Sequence, residues 1–264
     1  MKKILIVCVN YNSYTALSNY LDSVESSAQG VDGLHLDVKI ADNSSQKELF
    51  DLSQYEIIDV QIYEFNNLGY FGGASAIINR IDNIIQYQYV IISNVDVLFE
   101  KDTLAKLVEI DVPDDLAWVA QSTYSLQHNR DLNPSVLKRY SAMKLRLLRY
   151  TYNKYLYKFY LKHFYSKKNA NVIFPKMDIY ASHGACIILT SNFFKKYHTL
   201  NYPLFLYGEE LYLAELISKA NLKVVYFPDI RIKDIGKVST SKLPASAYLK
   251  HNIDAINYIL NEFY

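Results

Sequence analysis

Short apolar runs alternate with longer segments of helical periodicity along the chain. The apolar runs are rich in β-branched residues, as buried strands are, and cover residues 4–9, 36–41, 60–65, 89–92, 117–120, 185–190 and 223–227. Helical spacing of apolar positions occurs at residues 14–27, 74–86, 209–220 and 245–263, with another helix expected to begin near residue 101. Alternating strands and helices predict βαβ units, and therefore a Rossmann-like α/β fold with a mostly parallel sheet flanked by helices.

Polar residues follow the predicted strands where each one ends. Asn10 comes after the first strand and Asp42 after the second. Asn67 follows the third, and Asp96 follows the strand that begins at residue 89. In open α/β sheets the carboxyl ends of parallel strands meet at one edge, and ligands bind there. The sequence therefore predicts one polar site at this edge.

Asn94 and Asp96 are two residues apart at the end of a buried strand. Their side-chain oxygens suit Mg²⁺ or Mn²⁺, ions that usually bridge one or two carboxylates to the phosphates of a substrate. The alternative is a turn that caps the next helix. The segment alone leaves both interpretations open.

Composition narrows the class of protein. Half of the 264 residues are hydrophobic and glycine and proline are scarce, which excludes disordered and collagen-like chains. The net charge of +1 gives no whole-chain argument for nucleic acid. Cys8 and Cys186 lie in apolar runs and are expected to be buried thiols. The run at residues 4–9 is too short for a signal peptide, and no run approaches the ~18 residues of a membrane span, so we expect a cytoplasmic protein.

Six motifs follow one another over about residues 3–240. They are Asn10-Tyr11-Asn12, Ala41-Asp42-Asn43-Ser44-Ser45, residues 66–73, Ser93-Asn94-Val95-Asp96, His183-Gly184-Ala185-Cys186 and residues 205–210. In order and spacing they resemble the nucleotide-sugar glycosyltransferases of family 2, of the bacterial polysaccharide or rhamnosyltransferase-like kind, which have the GT-A fold. The resemblance implies a single GT-A domain over residues 1–264, with an insert at 132–177 and a C-terminal helix at 244–264.

The resemblance implies a UDP- or dTDP-sugar donor. Asp42 would accept a hydrogen bond from N3–H of the base, although residues 42–45 also suit an Asx turn. Gly72 and Gly73 would let the backbone approach the nucleotide closely, or would serve helix entry and packing. The full set of implied nucleotide-binding residues is Asn10, Asn12, Asp42, Asn67, Gly69, Gly72, Gly73 and Asn94.

The metal motif of the family, aspartate-x-aspartate, corresponds to residues 94–96. Asp96 would therefore hold the Mg²⁺ or Mn²⁺. Relatives often place a histidine ligand after the late strand, where this chain has Asp234. Asp234 is either a second metal ligand or a turn residue before Gly236.

Glu209 and Glu210 correspond to the acidic pair of this inverting family, in which the second acid is the general base. The family usually has aspartate where this chain has Glu210, and both acids also suit a helix N-terminus. The acceptor side would be formed by His183, Gly184 and Tyr207.

The segment at 132–177 differs from the rest of the chain. It contains no acidic residue between Leu132 and Met177, and basic residues alternate with Tyr and Phe. Few glycines or prolines interrupt it, so a helix is predicted, with Leu145, Leu148 and Tyr152 on one face. Basic and aromatic side chains together suit an anionic membrane surface. Homodimerisation is the main alternative, and a nucleic-acid groove is disfavoured because no known nucleic-acid module accompanies the segment.

The leading hypothesis is a metal-dependent inverting glycosyltransferase. It would transfer a sugar to a lipid-linked glycan in surface polysaccharide synthesis at the inner face of the cell membrane. The second hypothesis is a non-catalytic subunit that keeps the fold and binds sugar nucleotides or glycans. Departures from the family pattern at Asn94, Glu210 and Asp234 keep this alternative open.

Overall fold

The computed structural model of the protein describes residues 2–153, 156–157, 174–236 and 244–264. The first half contains β1 (Lys2–Asn10), α1 (Tyr14–Ala28), β2 (Leu34–Asp42), β3 (Asp59–Glu64), α2 (Tyr70–Ile78), β4 (Tyr89–Asn94), β5 (Val97–Phe99) and α3 (Thr103–Glu109). The second half contains β6 (Leu116–Ser125), β7 (Arg130–Asp131), α4 (Ala142–Thr151), β8 (Met177–Ile179), β9 (Cys186–Thr190), α5 (Ser191–Phe194), α6 (Glu209–Lys219), β10 (Lys223–Asp234) and α7 (Ala245–Phe263).

The described strands form one mixed sheet. Its order is β3-β2-β1-β4-β9-β6-β10-β5, with β7 beside β6 and β8 beside β10. Strands β3, β2, β1 and β4 are mutually parallel, as are β6 and β10. Strand β9 runs antiparallel to both of its neighbours, and β5 runs antiparallel to β10. The prediction of a mostly parallel sheet flanked by helices is confirmed.

Each face of the sheet has its own hydrophobic core, because successive side chains of a strand point to opposite faces. On β1, Ile4 and Ile6 pack on the side of α1 and α3. Leu5 and Val7 pack on the side of α2, α6 and α7. Cys8 is buried in the first of these cores and Cys186 lies there too, both as free thiols, as predicted.

Some predicted boundaries were wrong. The helix predicted at 74–86 begins earlier, at Tyr70, and ends at Ile78, followed by a short 3₁₀ turn at Ile84–Gln86. A tertiary contact ends it: the Asn79 side chain donates to the carbonyl of Leu200 (3.0 Å) and accepts from the Leu200 amide (2.8 Å). Strands β5, β7 and β8 and helix α5 were not predicted, because two to four residues carry no recognisable periodicity.

The predicted helical insert is described in part, and α4 lies within it. Leu145 is fully buried, and Leu148 packs against the same core beside α7. The face predicted from the sequence therefore points into the protein. Met143, Leu147 and Tyr150 are exposed on the other side of α4. Residues 154–155 and 158–173, which carry much of the predicted basic and aromatic pattern, lie outside the described residues.

An ion pair ties the insert to α6. Glu215 is 2 % exposed, and its carboxylate accepts from Arg139 Nε and Nη2 at 2.8–3.2 Å and from the Tyr180 hydroxyl at 2.6 Å. Arg139 also donates to the Phe263 carbonyl and lies over the Tyr264 ring. The buried carboxylate raises the pKa of Arg139, so the guanidinium stays charged. This network joins the insert, α6 and the end of α7.

Candidate functional site

A cavity of about 500 Å³ lies at the edge of the sheet where the parallel strands end. Its lining comes from the ends of β1, β2, β3, β4, β6 and β10 or the segments that follow them, from the loops before β9 and α6, from the first turn of α6 and from α7. Ten predicted site residues line it: Asn67, Gly69, Asn94, Asp96, His183, Gly184, Tyr207, Glu209, Glu210 and Asp234. The rule that ligands bind at the carboxyl ends of strands thus locates the cavity correctly.

Five predicted site residues do not line this cavity: Asn10, Asn12, Asp42, Gly72 and Gly73. The two glycines lie inside α2, and a Cβ on Gly73 would be 3.0 Å from the Asn43 amide nitrogen and 3.3 Å from Ala41 Cβ. Gly73 therefore allows tight packing of α2 against the end of β2, whereas a Cβ on Gly72 would meet only Leu68 Cβ, at 3.4 Å.

Asp42 is buried in a network of its own. It accepts from the Tyr14 hydroxyl (2.7 Å), the Ser44 hydroxyl (2.5 Å) and the Asn10 amide (3.2 Å), and Lys47 Nζ is 3.3 Å away. Burial alone would raise the pKa of Asp42, but the hydrogen bonds from Ser44 and Tyr14 and the nearby ammonium outweigh it and lower the pKa. Asp42 is thus a charged residue that braces the loops beneath the cavity.

Asn43, the next residue, does line the cavity. Its amide donates to the Gly69 carbonyl (2.8 Å), while its buried side-chain oxygen has no hydrogen-bond partner among the residues that the structure describes. Gly69 has a φ of 76°, and a Cβ there would lie 2.0 Å from the Phe205 carbonyl oxygen, so only glycine fits. These contacts join the loops after β2 and β3 to the loop before α6.

Asp96 and Asp234 lie on neighbouring elements. Asp234 pairs with Val97 in the β10–β5 ladder, and the amide of Ile235 donates to the Asp96 carbonyl at 3.0 Å. Asp234 also accepts from the Gly236 amide (2.9 Å), as the predicted turn requires. Within the described ranges, no three His, Cys, Asp or Glu side chains form a group that could hold a metal ion by themselves.

The acidic pair begins α6. Gly208 caps this helix with a φ of 87°, and Glu209 and Glu210 form its first turn, where the helix dipole favours negative charge. Glu209 is buried and Glu210 is half-buried. Burial, and then the neighbouring Glu210 carboxylate, raise the pKa of Glu209 well above its ordinary value. The protonated form of Glu209 is therefore favoured more than in an exposed glutamate, beside a more accessible partner.

Glu210 lies directly over the backbone of the segment before β9. A Cβ on Gly184 would be 2.4 Å from Glu210 Oε1, so glycine makes room for this carboxylate. The Gly184 carbonyl accepts from the Tyr70 hydroxyl at 2.8 Å. His183 Nδ1 accepts from the Ala185 amide (3.3 Å), which leaves the proton of a neutral imidazole on Nε2 as a donor.

Sequence reasoning missed several lining residues. Tyr11 and Asn43 lie within quoted motifs but were not chosen as site residues, and Tyr70 starts α2. His128 lies between β6 and β7, and Tyr248 lies on α7, 14 residues after Asp234. Neither position carries a local pattern that signals a site.

No protein family and no curated protein matches the chain in sequence. Solved structures do match in fold. TarS from S. aureus in complex with UDP-GlcNAc is 13% identical with a TM-score of 0.58, covering 97% of this chain and 66% of that chain. The mannosyltransferase PcManGT from Pyrobaculum calidifontis, in complex with GDP-Man and Mn²⁺, is 12% identical with a TM-score of 0.53 and coverage of 98% and 75%.

GalNAc-T7 with UDP, GalNAc and Mn²⁺ is 14% identical, with a TM-score of 0.59 and coverage of 99% and 49%. The chain spans 44% of the full TarS chain. These neighbours are GT-A-type glycosyltransferases, and at this identity the likeness shows the shared fold. The GT-A fold predicted from the sequence is thereby confirmed.

Replacing Glu209 with Gln should remove a pH-dependent loss of stability. Because the pKa of Glu209 is raised in the folded state, the folded protein binds more protons than the unfolded chain once the pH exceeds the ordinary value of 4.5. Stability then falls as pH rises through the window between the two values. The free energy of unfolding of the wild type minus that of the variant should therefore decrease as the pH rises above 4.5 in urea titrations. A difference that is constant with pH would contradict a raised pKa of Glu209.

Proposed function

We propose that the protein is a metal-dependent inverting glycosyltransferase that uses a UDP- or dTDP-sugar donor. The observation that carries this proposal is the meeting of two acidic pairs in one cavity, Asp96 with Asp234 and Glu209 with Glu210. The carboxylates of the first pair could bind a cation, and a carboxylate of the second pair could accept a proton. The fold neighbours that contain UDP, a UDP-sugar or Mn²⁺ support the assignment.

The donor set fits a divalent cation. Mg²⁺ is usually held by one or two carboxylates together with the phosphates of a substrate, so a complete protein cage is not needed. Asp96 and Asp234 would hold the ion, with the Asn94 amide beside them. When bound, it offsets the negative charge that develops on the departing nucleotide diphosphate.

Glu210 is the general base of the proposed reaction. The acceptor hydroxyl oxygen forms a bond to the anomeric carbon, the bond from that carbon to the diphosphate breaks on the opposite face, and the hydroxyl proton passes to Glu210. The raised pKa of Glu209 disfavours a second negative charge next to this base. Nε2 of His183 is a hydrogen-bond donor on the same side of the cavity.

Glu210→Gln should keep donor binding and reduce transfer by roughly 10²-fold, the usual scale for losing a general base. Gln is nearly isosteric, so the position over Gly184 is kept. Release of UDP from UDP-GlcNAc in the presence of an acceptor glycan measures transfer, and calorimetry measures binding.

Glu209→Gln is the matched control, since it makes the same change one residue away. Its transfer rate should stay near that of the wild type. If Glu209→Gln is the inactive variant, the assignment within the pair is wrong. No nucleotide release by the wild type from any UDP- or dTDP-sugar would favour the non-catalytic binding subunit.

We also propose that the acceptor is carried on a lipid and that α4 contacts an anionic membrane. Met143, Leu147 and Tyr150 are 70%, 60% and 62% exposed, and Lys144 and Arg146 lie among them. No acidic residue interrupts α4. Each basic residue near an anionic surface contributes about 1 kcal/mol, and exposed apolar side chains add insertion at the interface. No helix among the described residues is long and apolar enough to cross a membrane.

Replacing Lys138, Lys144 and Arg146 with Gln should weaken co-sedimentation with phosphatidylglycerol vesicles. Wild-type binding should fall steeply with salt, since the Debye length shrinks from about 10 Å at 0.1 M to about 3 Å at 1 M. Replacing the exposed Lys101, Lys195 and Lys196 removes the same charge elsewhere and should leave binding unchanged. Equal, negligible binding to anionic and neutral vesicles would refute the membrane contact, and a dimer lost in the α4 variant would indicate self-association.

A further inference from the structure

The segment that precedes β9 carries two parts of the proposed catalytic machinery. His183 lines the cavity, and its Nδ1 accepts from the Ala185 amide. Gly184 makes room for the Glu210 carboxylate, which lies over its backbone. A shift of this segment would therefore displace both the imidazole donor and the surface on which the general base lies.

Other parts of the fold hold the β9 end of the segment. The Gly184 carbonyl accepts from the Tyr70 hydroxyl at 2.8 Å. The Ala185 carbonyl accepts from the Asn94 amide at 3.0 Å. Both bonds lie on the β9 side of His183, so the residues before them need a contact of their own.

Asn133, which follows β7, supplies that contact. Its side chain is buried, and its Oδ1 accepts from the His183 amide at 2.8 Å. Its Nδ2 donates to the Ser182 hydroxyl and to the carbonyl of Gln121 on β6, both at 2.8 Å. One side-chain amide thus joins the segment before β9 to the sheet.

The residue type follows from these partners. A backbone amide only donates and a backbone carbonyl only accepts, so a side chain that joins the two must offer both an acceptor and a donor. Leucine offers neither, and a charged aspartate offers no donor. Because the position is buried, a missing partner would also leave a polar group unsatisfied, which is costly. Asparagine meets all of these requirements.

The backbone of Asn133 is held in turn by Asp131. The Asn133 amide donates to Asp131 Oδ1 at 2.9 Å, and the same oxygen accepts from the amide of Thr123 on β6 at 2.8 Å. Asp131 Oδ2 accepts from the hydroxyl of Tyr226 on β10 at 3.1 Å. Two strands of the sheet therefore fix the loop from which the Asn133 amide reaches the segment before β9.

We propose that Asn133 is a positioning residue for the transfer reaction, an inference that rests on the proposed function. Its amide keeps the backbone of Gly184 in place under the Glu210 carboxylate. It also keeps His183 in the geometry in which Nδ1 faces the Ala185 amide, so that a neutral ring carries its proton on Nε2. Asn133 does not line the cavity and acts on the substrates only through this segment.

Asn133→Ala tests this role because it removes the side-chain amide. Thr123→Val is the matched control, since it removes a buried hydroxyl that accepts from the same amide at 3.3 Å but leaves the bonds to Ser182 and His183. Long-range ¹H–¹⁵N correlation NMR on the full chain at about pH 8, where imidazole groups are ordinarily neutral, identifies the ring nitrogen that carries the proton. His183→Gln assigns the signals of that ring, and urea titration checks that the variants fold.

The wild type should show one His183 tautomer, with the proton on Nε2, and Thr123→Val should show the same. Asn133→Ala should show exchange between both tautomers, because the Ala185 amide no longer meets Nδ1 in one fixed geometry. A wild type with the proton on Nδ1, or with mixed tautomers, would overturn the proposal whether or not Asn133→Ala folds. An unchanged tautomer in folded Asn133→Ala would overturn it as well.

Transfer kinetics test the consequence for Glu210. Asn133→Ala should lower kcat by about tenfold or more with little change in the KM for the donor, because a small displacement of a catalytic group is costly. Thr123→Val should transfer like the wild type, and an equal loss of kcat in both variants would refute a specific role for Asn133. A wild type that transfers from no nucleotide sugar would count against the proposed function, while the tautomer of His183 would still decide whether Asn133 fixes this segment.

Discussion

The position of α6 depends on the ion pair between the Glu215 carboxylate and the Arg139 guanidinium. This carboxylate is almost completely buried, and Arg139 with Tyr180 supplies its hydrogen bonds. Removing the partner of a buried charge typically costs several kcal/mol, so α6 is stable where it lies only while the insert supplies the guanidinium. Because α6 also begins with the acidic pair, one ion pair couples the insert to the geometry of the cavity. The basic insert therefore has a structural role independent of any membrane.

The contacts around the start of α6 give Glu209 and Glu210 different surroundings. Gly208 and Gly184 allow close approaches that no larger residue permits. At Gly208 the chain lies against Tyr202 and Ala255, and at Gly184 it makes room for Glu210, while Glu209 is buried. Burial thus raises the pKa of Glu209 and favours its protonated form, while the chemically identical Glu210 is more accessible. Asp42, which does not line the cavity, keeps its charge because hydrogen bonds from Ser44 and Tyr14 and the nearby Lys47 lower its pKa. The surroundings of a carboxyl group thus decide whether its pKa is raised, as at Glu209, or lowered, as at Asp42.

The sequence predicted the sheet well because its strands are short, β-branched and followed by polar residues. Residues such as Asn94 and Asp96 could be placed in a cavity by this rule alone. Asp42 could not, since only the folded structure shows that Tyr14 and Asn10 occupy its oxygens. Tyr248 was missed because a tyrosine on an amphipathic helix looks like an ordinary core position. The apolar face of α4 was predicted, but its direction into the core depends on packing against α7, which periodicity does not encode.

The central claim is that Asp96 and Asp234 help bind a nucleotide sugar through a divalent cation. Calorimetric titration of UDP-GlcNAc into the wild type and Asp96→Ala, each with Mn²⁺ and with chelator, tests it most directly. The account predicts that Mn²⁺ strengthens binding to the wild type by about tenfold or more, a free energy of about 1.4 kcal/mol, and has no effect on the variant. Equal, Mn²⁺-dependent affinity in both proteins would contradict it.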